Sequence, residues 1–322
     1  MNAGGRPAPA PDAAAALTQS AVFAPLGIGL ALHTNCVGVI NAARAAFAPW
    51  ALLPAPVHSQ PLRLDVAVHA VAEQDEPAAP WIVRTHGHTF LAGAGANLLT
   101  VQHDRGYALA CITPALAAAT ERLSADVIER LALLLATRHD RTPLQAVAVQ
   151  RAGSAVLLVG LPGADTATLA YACLHAGFTL LAADTVYVSL ANGLRVWGNS
   201  SRLILPPGAS RRFAELSDLP LRVAPAGTPC IVVPLHPEQR AADPAEHVQV
   251  CLVEPAPGRA SHLEPLAPEQ AQMYLLPSPE AGLSATDVQP AGAALTAQRA
   301  YHLAAGSDHR SAVALLRHLT EP

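Results

Sequence analysis

The chain has 322 residues, of which 51% are hydrophobic and 14% charged, with a net charge of −4. That supplies a sizeable core and excludes a coiled coil, an acidic tail protein or a generically disordered chain. Aromatics at 4% leave no base-stacking platform for nucleic acid, and the 20 basic residues are all arginine, so chemistry that needs a lysine is absent.

In chain order, residues 1–18 are an Ala/Pro tract expected to be disordered. Residues 19–140 read as a β-rich α+β module. Its predicted strands are Gly27–His33, Leu62–Ala70, Ile82–His88, Asn97–Gln102 and Ala108–Ile112, several with the period-2 alternation of Leu62-Arg63-Leu64-Asp65-Val66. Asn41–Phe47 reads as a short helix ending near Pro49. A longer helix is predicted over Ala115–His139, started or restarted at Ser124, with Val127, Ile128, Leu131, Leu134 and Leu135 on one stripe. Ala21–Leu32 is apolar, but Pro25 breaks it and it is too short to span a bilayer. The N-terminal tract is a poor signal peptide. No CxxC pair joins Cys36, Cys111, Cys173, Cys230 and Cys251, so reduced thiols and a cytoplasmic location are expected.

From residue 141 the pattern becomes α/β. Gln145–Val149 and Ala155–Val159 read as strands, and Thr166–Ala176 as a helix with Gly177 past its end. Leu180–Leu181, Thr185–Leu190, Leu194–Trp197 and Leu203–Leu205 follow as strands, with Asn192-Gly193 as a hairpin turn. Beyond Pro206, strands are expected at Cys230–Leu235 and Val248–Val253, and a closing helix at Ser307–Leu319.

The chemistry concentrates at Gly160-Leu-Pro-Gly163-Ala-Asp165-Thr166-Ala167-Thr168, where an apolar strand enters a Gly-rich turn and then a helix. That is the architecture in which backbone N–H groups and a helix N-terminus cradle phosphate. Against the working pattern G-x-x-x-x-G-K-[ST], Gly160 is in place. Asp165 stands for the second glycine, Thr166 for the lysine and Ala167 for the metal-binding hydroxyl. Asp165 would repel phosphate by about 4 kcal/mol per charge pair at ~4 Å and an effective dielectric of about 20. Pro162 removes one N–H.

The run from Pro143 to about Pro206 resembles the catalytic domain of HPr kinase/phosphorylase, and more closely the HPr-kinase-related proteins of bacterial gene clusters. The resemblance is carried by Pro143-Leu-Gln145-Ala, the 160–170 loop, Gly177-Phe-Thr-Leu-Leu-Ala-Ala183-Asp184, Gly193-Leu-Arg195-Val-Trp197-Gly198 and Arg202-Leu-Ile-Leu-Pro206. Leu30, Thr34, Asn35 and Ala42–Trp50 resemble the relatives' N-terminal module more weakly. The resemblance implies a P-loop domain of HPr-kinase-like fold over residues 141–322, preceded by the smaller β-rich module. The departures fall on the working residues: besides the loop, Gln145 stands for a histidine and Ala183 for the first of two aspartates, leaving Asp184. In the family that pair serves proton transfer and metal binding.

The expectation is therefore a catalytically impaired, pseudokinase-like protein: a scaffold, regulatory or assembly subunit with no cofactor. The resemblance implies a protein or peptide partner, PqqD-like, and hexamers or another oligomer. The alternative is a divergent ATP- and magnesium-dependent kinase with Asp184 as base and an arginine in place of lysine. Among other constellations, His86 and His88 share a strand face and could ligate a metal with His69 or His103; we read them as a solvent-facing edge. Arg211-Arg212 reads as a solvated face, with an anion-binding pair as the other reading. His175 is expected on the exposed side of its helix rather than paired with Asp184. His302, His309 and His318 are spaced too irregularly for one ligand face.

Overall fold

The computed structural model describes residues 17–51, 53, 61–69, 81–86, 89–137, 139–224, 227–241 and 243–321. The expected disorder of residues 1–16 and the placement of His88 lie outside them. The protein is a mixed α/β chain with several sheets, in two units: Met1–Ala48 with Ala55–Leu135, and Pro49–Pro54 with Ala136–Pro322.

The first unit holds β1 (Gln19–Phe23), β2 (Leu30–Thr34), β3 (Leu62–Val68), β4 (Ile82–His86), β5 (Thr89–Ala94), β6 (Asn97–Gln102) and β7 (Tyr107–Ile112). They form one sheet in the order β1-β2-β3-β7-β6-β5-β4. β2, β3 and β7 run parallel, and β7 to β4 form an antiparallel meander. Alternation sends Leu64, Val66, Phe90, Ala108 and Ile112 into the core. On the opposite face Asp65 is 5% exposed. It accepts two 2.9 Å bonds from the Arg63 guanidinium and one of 3.2 Å from the Tyr107 hydroxyl, and lies 3.3 Å from His33 Nδ1.

Helix α1 (Val37–Ala46) begins four residues before its predicted start. The predicted 115–139 helix is divided. α2 (Pro114–Ala118) is capped by Thr113 and stops at Ala119 (φ −83, ψ 71). α3 then spans residues 120–136, with a π-helical stretch at Leu123–Glu129. Ser124 starts nothing: its hydroxyl donates to Ala42 O at 3.0 Å. The predicted stripe of Val127, Ile128, Leu131, Leu134 and Leu135 is buried, and Arg130 lies over the Phe90 ring.

The second unit is built on strands β8 to β19. They are β8 (Thr142–Gln145), β9 (Val147–Arg151), β10 (Ser154–Gly160), β11 (Thr179–Ala182), β12 (Thr185–Ser189), β13 (Arg195–Gly198), β14 (Arg202–Leu205), β15 (Leu221–Val223), β16 (Pro229–Pro234), β17 (His247–Pro255), β18 (His262–Pro265) and β19 (Ala300–Ala305). The central six-stranded sheet has the order β11-β9-β10-β17-β19-β18, with β10, β17 and β19 parallel. Two three-stranded sheets, β13-β12-β8 and β14-β16-β15, accompany it.

The continuous apolar run of β10 serves two cores, as a strand buried on both faces must. Val156 and Leu158 enter one layer with α4 (Thr166–His175), α7 (His309–Leu319) and the β14-β16-β15 sheet. Leu157 and Val159 enter the other with α5 (Pro268–Gln272), α6 (Ala285–Thr296) and the β13-β12-β8 sheet. The strand predicted over Gln145–Val149 divides at Ala146, because β8 pairs with β12 while β9 pairs with β10. Gly198 lies so close to β11 that an added Cβ would meet Leu181 O at 2.1 Å.

Candidate functional site

Strand β10 ends at Gly160, and α4 begins at Thr166. Between them, Leu161-Pro162-Gly163-Ala164 closes a tight turn through a 2.9 Å bond from Ala164 N to Leu161 O. Gly163 sits at φ +83, the left-handed position that a type II turn reserves for glycine, with proline ahead of it. Leu161 N donates across to Val253 O at 2.9 Å.

Asp165 is the N-cap of α4, and its Oδ1 accepts the Thr168 N–H at 3.0 Å. A phosphate-binding helix offers such N–H groups to its ligand. Here a carboxylate of the chain takes that place. The space above the strand end is also filled, since a Cβ built on Gly160 would meet Thr166 Cγ2 at 3.2 Å. Along the loop, the Leu161, Ala164 and Thr168 amides have internal acceptors, and Pro162 has no N–H. The residues present do not fit a magnesium–nucleotide complex: Ala167 has no ligating oxygen, and Asp165 holds the helix end.

Asp184 is exposed. It follows β11, which lies two strands from β10, about 10 Å away at ordinary strand spacing, and ends on the same side of the sheet. Gln145 is its neighbour: Gln145 pairs with Thr185, and Ala146 N donates to Asp184 O at 2.9 Å. Gln145, Ala183, Asp184 and the 160–168 loop therefore share the end of the sheet where β10 and β11 finish.

The segment around Arg211-Arg212, expected on a solvated face, has both arginines exposed and is anchored on α4 by its neighbours Phe213 and Glu215. Phe213 stacks on His175 and meets the Tyr171 ring edge-on, both on α4. Glu215 accepts from the Tyr171 hydroxyl at 3.2 Å and lies 3.1 Å from His175 Nε2. His175 is half exposed, as expected, and its partner is Glu215. These contacts place Arg212, whose Nη1 lies 2.8 Å from His309 Nε2 at the start of α7. Burial lowers the His309 pKa and the Arg212 charge lowers it further, while the Asp165 carboxylate opposes them. Arg211 is exposed.

Among the described residues no group of three His, Cys, Asp or Glu side chains is placed to hold a metal ion. His302 lies 2.9 Å from Glu254 and 3.3 Å from Glu264, and His318 3.1 Å from Glu321. The five cysteines are free, and burial pushes the Cys173 thiol up to about 12. No described helix is long and apolar enough to cross a membrane.

The loop is legible in the sequence, but its charge alone gives Asp165 a purely repulsive role. The signal for the second role is local: aspartate immediately before the first helical residue is a strong N-cap. The Arg212–His309 contact joins residues 97 apart and has no such signal. No family model matches the chain, and no curated protein matches it.

Proposed function

We propose that this protein is a catalytically silent, HPr-kinase-like subunit that binds a protein or peptide partner, with the loop retained as structure. The observation that carries the reading is the Asp165 carboxylate on the Thr168 N–H, with the Thr166 side chain over Gly160. A loop closed in this way already directs its Leu161, Ala164 and Thr168 amides to acceptors of the chain itself. The altered positions 145, 165, 166, 167 and 183 share one end of the sheet, which is where the resemblance puts the family's chemistry. A PqqD-like partner and an oligomer remain part of this proposal on the resemblance alone.

A second reading, a divergent kinase, is favoured by one contact. Arg212 reaches the neighbourhood of Asp165 through His309 and could supply a cation the loop lacks, with Asp184 as base. Thermal denaturation with ATP and magnesium separates the two. The silent reading expects an unmoved melting curve at millimolar nucleotide. A nucleotide at about 100 times its Kd would stabilise the protein by ~2.7 kcal/mol, and such a rise would overturn it.

A further inference from the structure

We infer that the segment Met273–Leu276 is a docking surface for a basic, amphipathic peptide segment of a partner protein; this rests on the binding reading above. Met273 is 75% exposed, Tyr274 44% and Leu276 52%. Single exposed apolar residues are ordinary on any protein surface, but three within four consecutive positions make a patch. Methionine and tyrosine supply adaptable and amphipathic contact area, the chemistry on which interfaces concentrate.

The patch is held in shape. Leu275 is buried among the exposed three. Tyr274 N donates to Ala271 O, Gln145 N to Leu276 O at 2.9 Å, and Ser278 N to Pro143 O at 3.1 Å. A surface fixed before binding loses little freedom on binding. The Leu276–Gln145 bond also makes the patch continuous with the end of the sheet that carries Gln145 and Asp184.

Charge selects the occupant. Two exposed carboxylates, Glu269 and Asp184, flank the patch. Glu269 is exposed one helical turn before Met273. Asp184 is exposed beside Thr185, whose hydroxyl bonds Ser278 Oγ at 3.3 Å. An acidic segment would meet like charge on both flanks. A segment with bulky apolar anchors and flanking arginine or lysine meets its complement.

The test pans the full chain against a random dodecapeptide phage library and measures one synthetic winner by fluorescence anisotropy. The expected winners combine basic and bulky apolar residues and bind less tightly as salt rises. Met273→Asp with Leu276→Asp should weaken binding about tenfold or more at unchanged far-UV circular dichroism. Should that double variant fail to fold, Met273→Ser replaces it, with a smaller loss expected. Glu269→Arg should weaken binding and flatten the salt dependence. An empty panning, acidic winners, or binding indifferent to these substitutions overturns the docking surface. The ATP series on the same preparation keeps the two ideas apart. A nucleotide shift defeats the silent loop, whereas an unmoved melt with failed panning defeats only the docking surface.

Discussion

Replacing Asp165 by alanine removes both the cap on α4 and the charge at its N-terminus. An N-cap acceptor contributes about 1 kcal/mol, and a carboxylate at a helix N-terminus a further ~0.3–1 kcal/mol. Asp165→Ala should therefore cost roughly 1.5 kcal/mol, and Asp165→Asn, which keeps an acceptor oxygen, about 0.5 kcal/mol. In a unit of this size that is a fall in Tm of roughly 3–6 °C for alanine and about 1–2 °C for asparagine, read by differential scanning calorimetry. The distinctive outcome comes from inorganic phosphate. With the carboxylate gone, the Thr168 N–H can donate to an external anion held at the helix end. Phosphate at ~10 times its Kd should then return ~1.4 kcal/mol to Asp165→Ala and nothing to the wild type. An alanine variant that melts with the wild type would refute the reasoning, as would phosphate that lifts both proteins equally.

Combining Asp165→Gly, Thr166→Lys and Ala167→Ser should restore measurable ATP–magnesium affinity, followed by titration calorimetry; no gain would mean that the type II turn itself cannot open into a cradle. Gly198→Ala drives a methyl into the backbone carbonyl of Leu181, which cannot turn aside, and should cost at least about 3 kcal/mol in denaturant unfolding. Burial, and then the Glu215 charge, push the Tyr171 hydroxyl from 10.0 up to about 12. The folded state thus holds that proton more tightly than the unfolded chain. The associated stability is whole below pH 10 and is lost as pH rises to about 12. Tyr171→Phe should flatten that part of the alkaline stability profile, and an unchanged profile would show that Tyr171 does not govern it.

Legibility in the sequence follows contrast between neighbouring residues. β10 and α4 are readable because an apolar run meets Gly160, Pro162, Gly163 and then a capping aspartate, all local signals. The β12–β13 hairpin is readable from Asn192-Gly193, where Gly193 adopts φ +90. β5 and β19 are not, because Phe90-Leu-Ala-Gly-Ala and Ala300-Tyr-His-Leu-Ala-Ala mix small residues with few large ones, so the period-2 signal is faint. α6 is hidden by Pro290, which lies inside it. Its start is nevertheless secured by a capping box between Ser284 and Asp287, and Pro290 is exposed. The division at Ala146 reflects a change of sheet partner, which no local pattern announces. At the candidate site the same rule holds: the loop is visible, while the approach of Arg212 depends on Phe213 packing on α4.

Because consecutive side chains of β10 belong to opposite layers, the second unit cannot be trimmed to a minimal fragment around its loop. A chain cut before Ala285 would keep the turn and α4 but strip Leu157, Val159, Val250 and Leu252 of Val288, Ala291 and Leu295. Such a piece would present a greasy strand face to water and collect into aggregates. The loop is available to experiment only in the company of both layers.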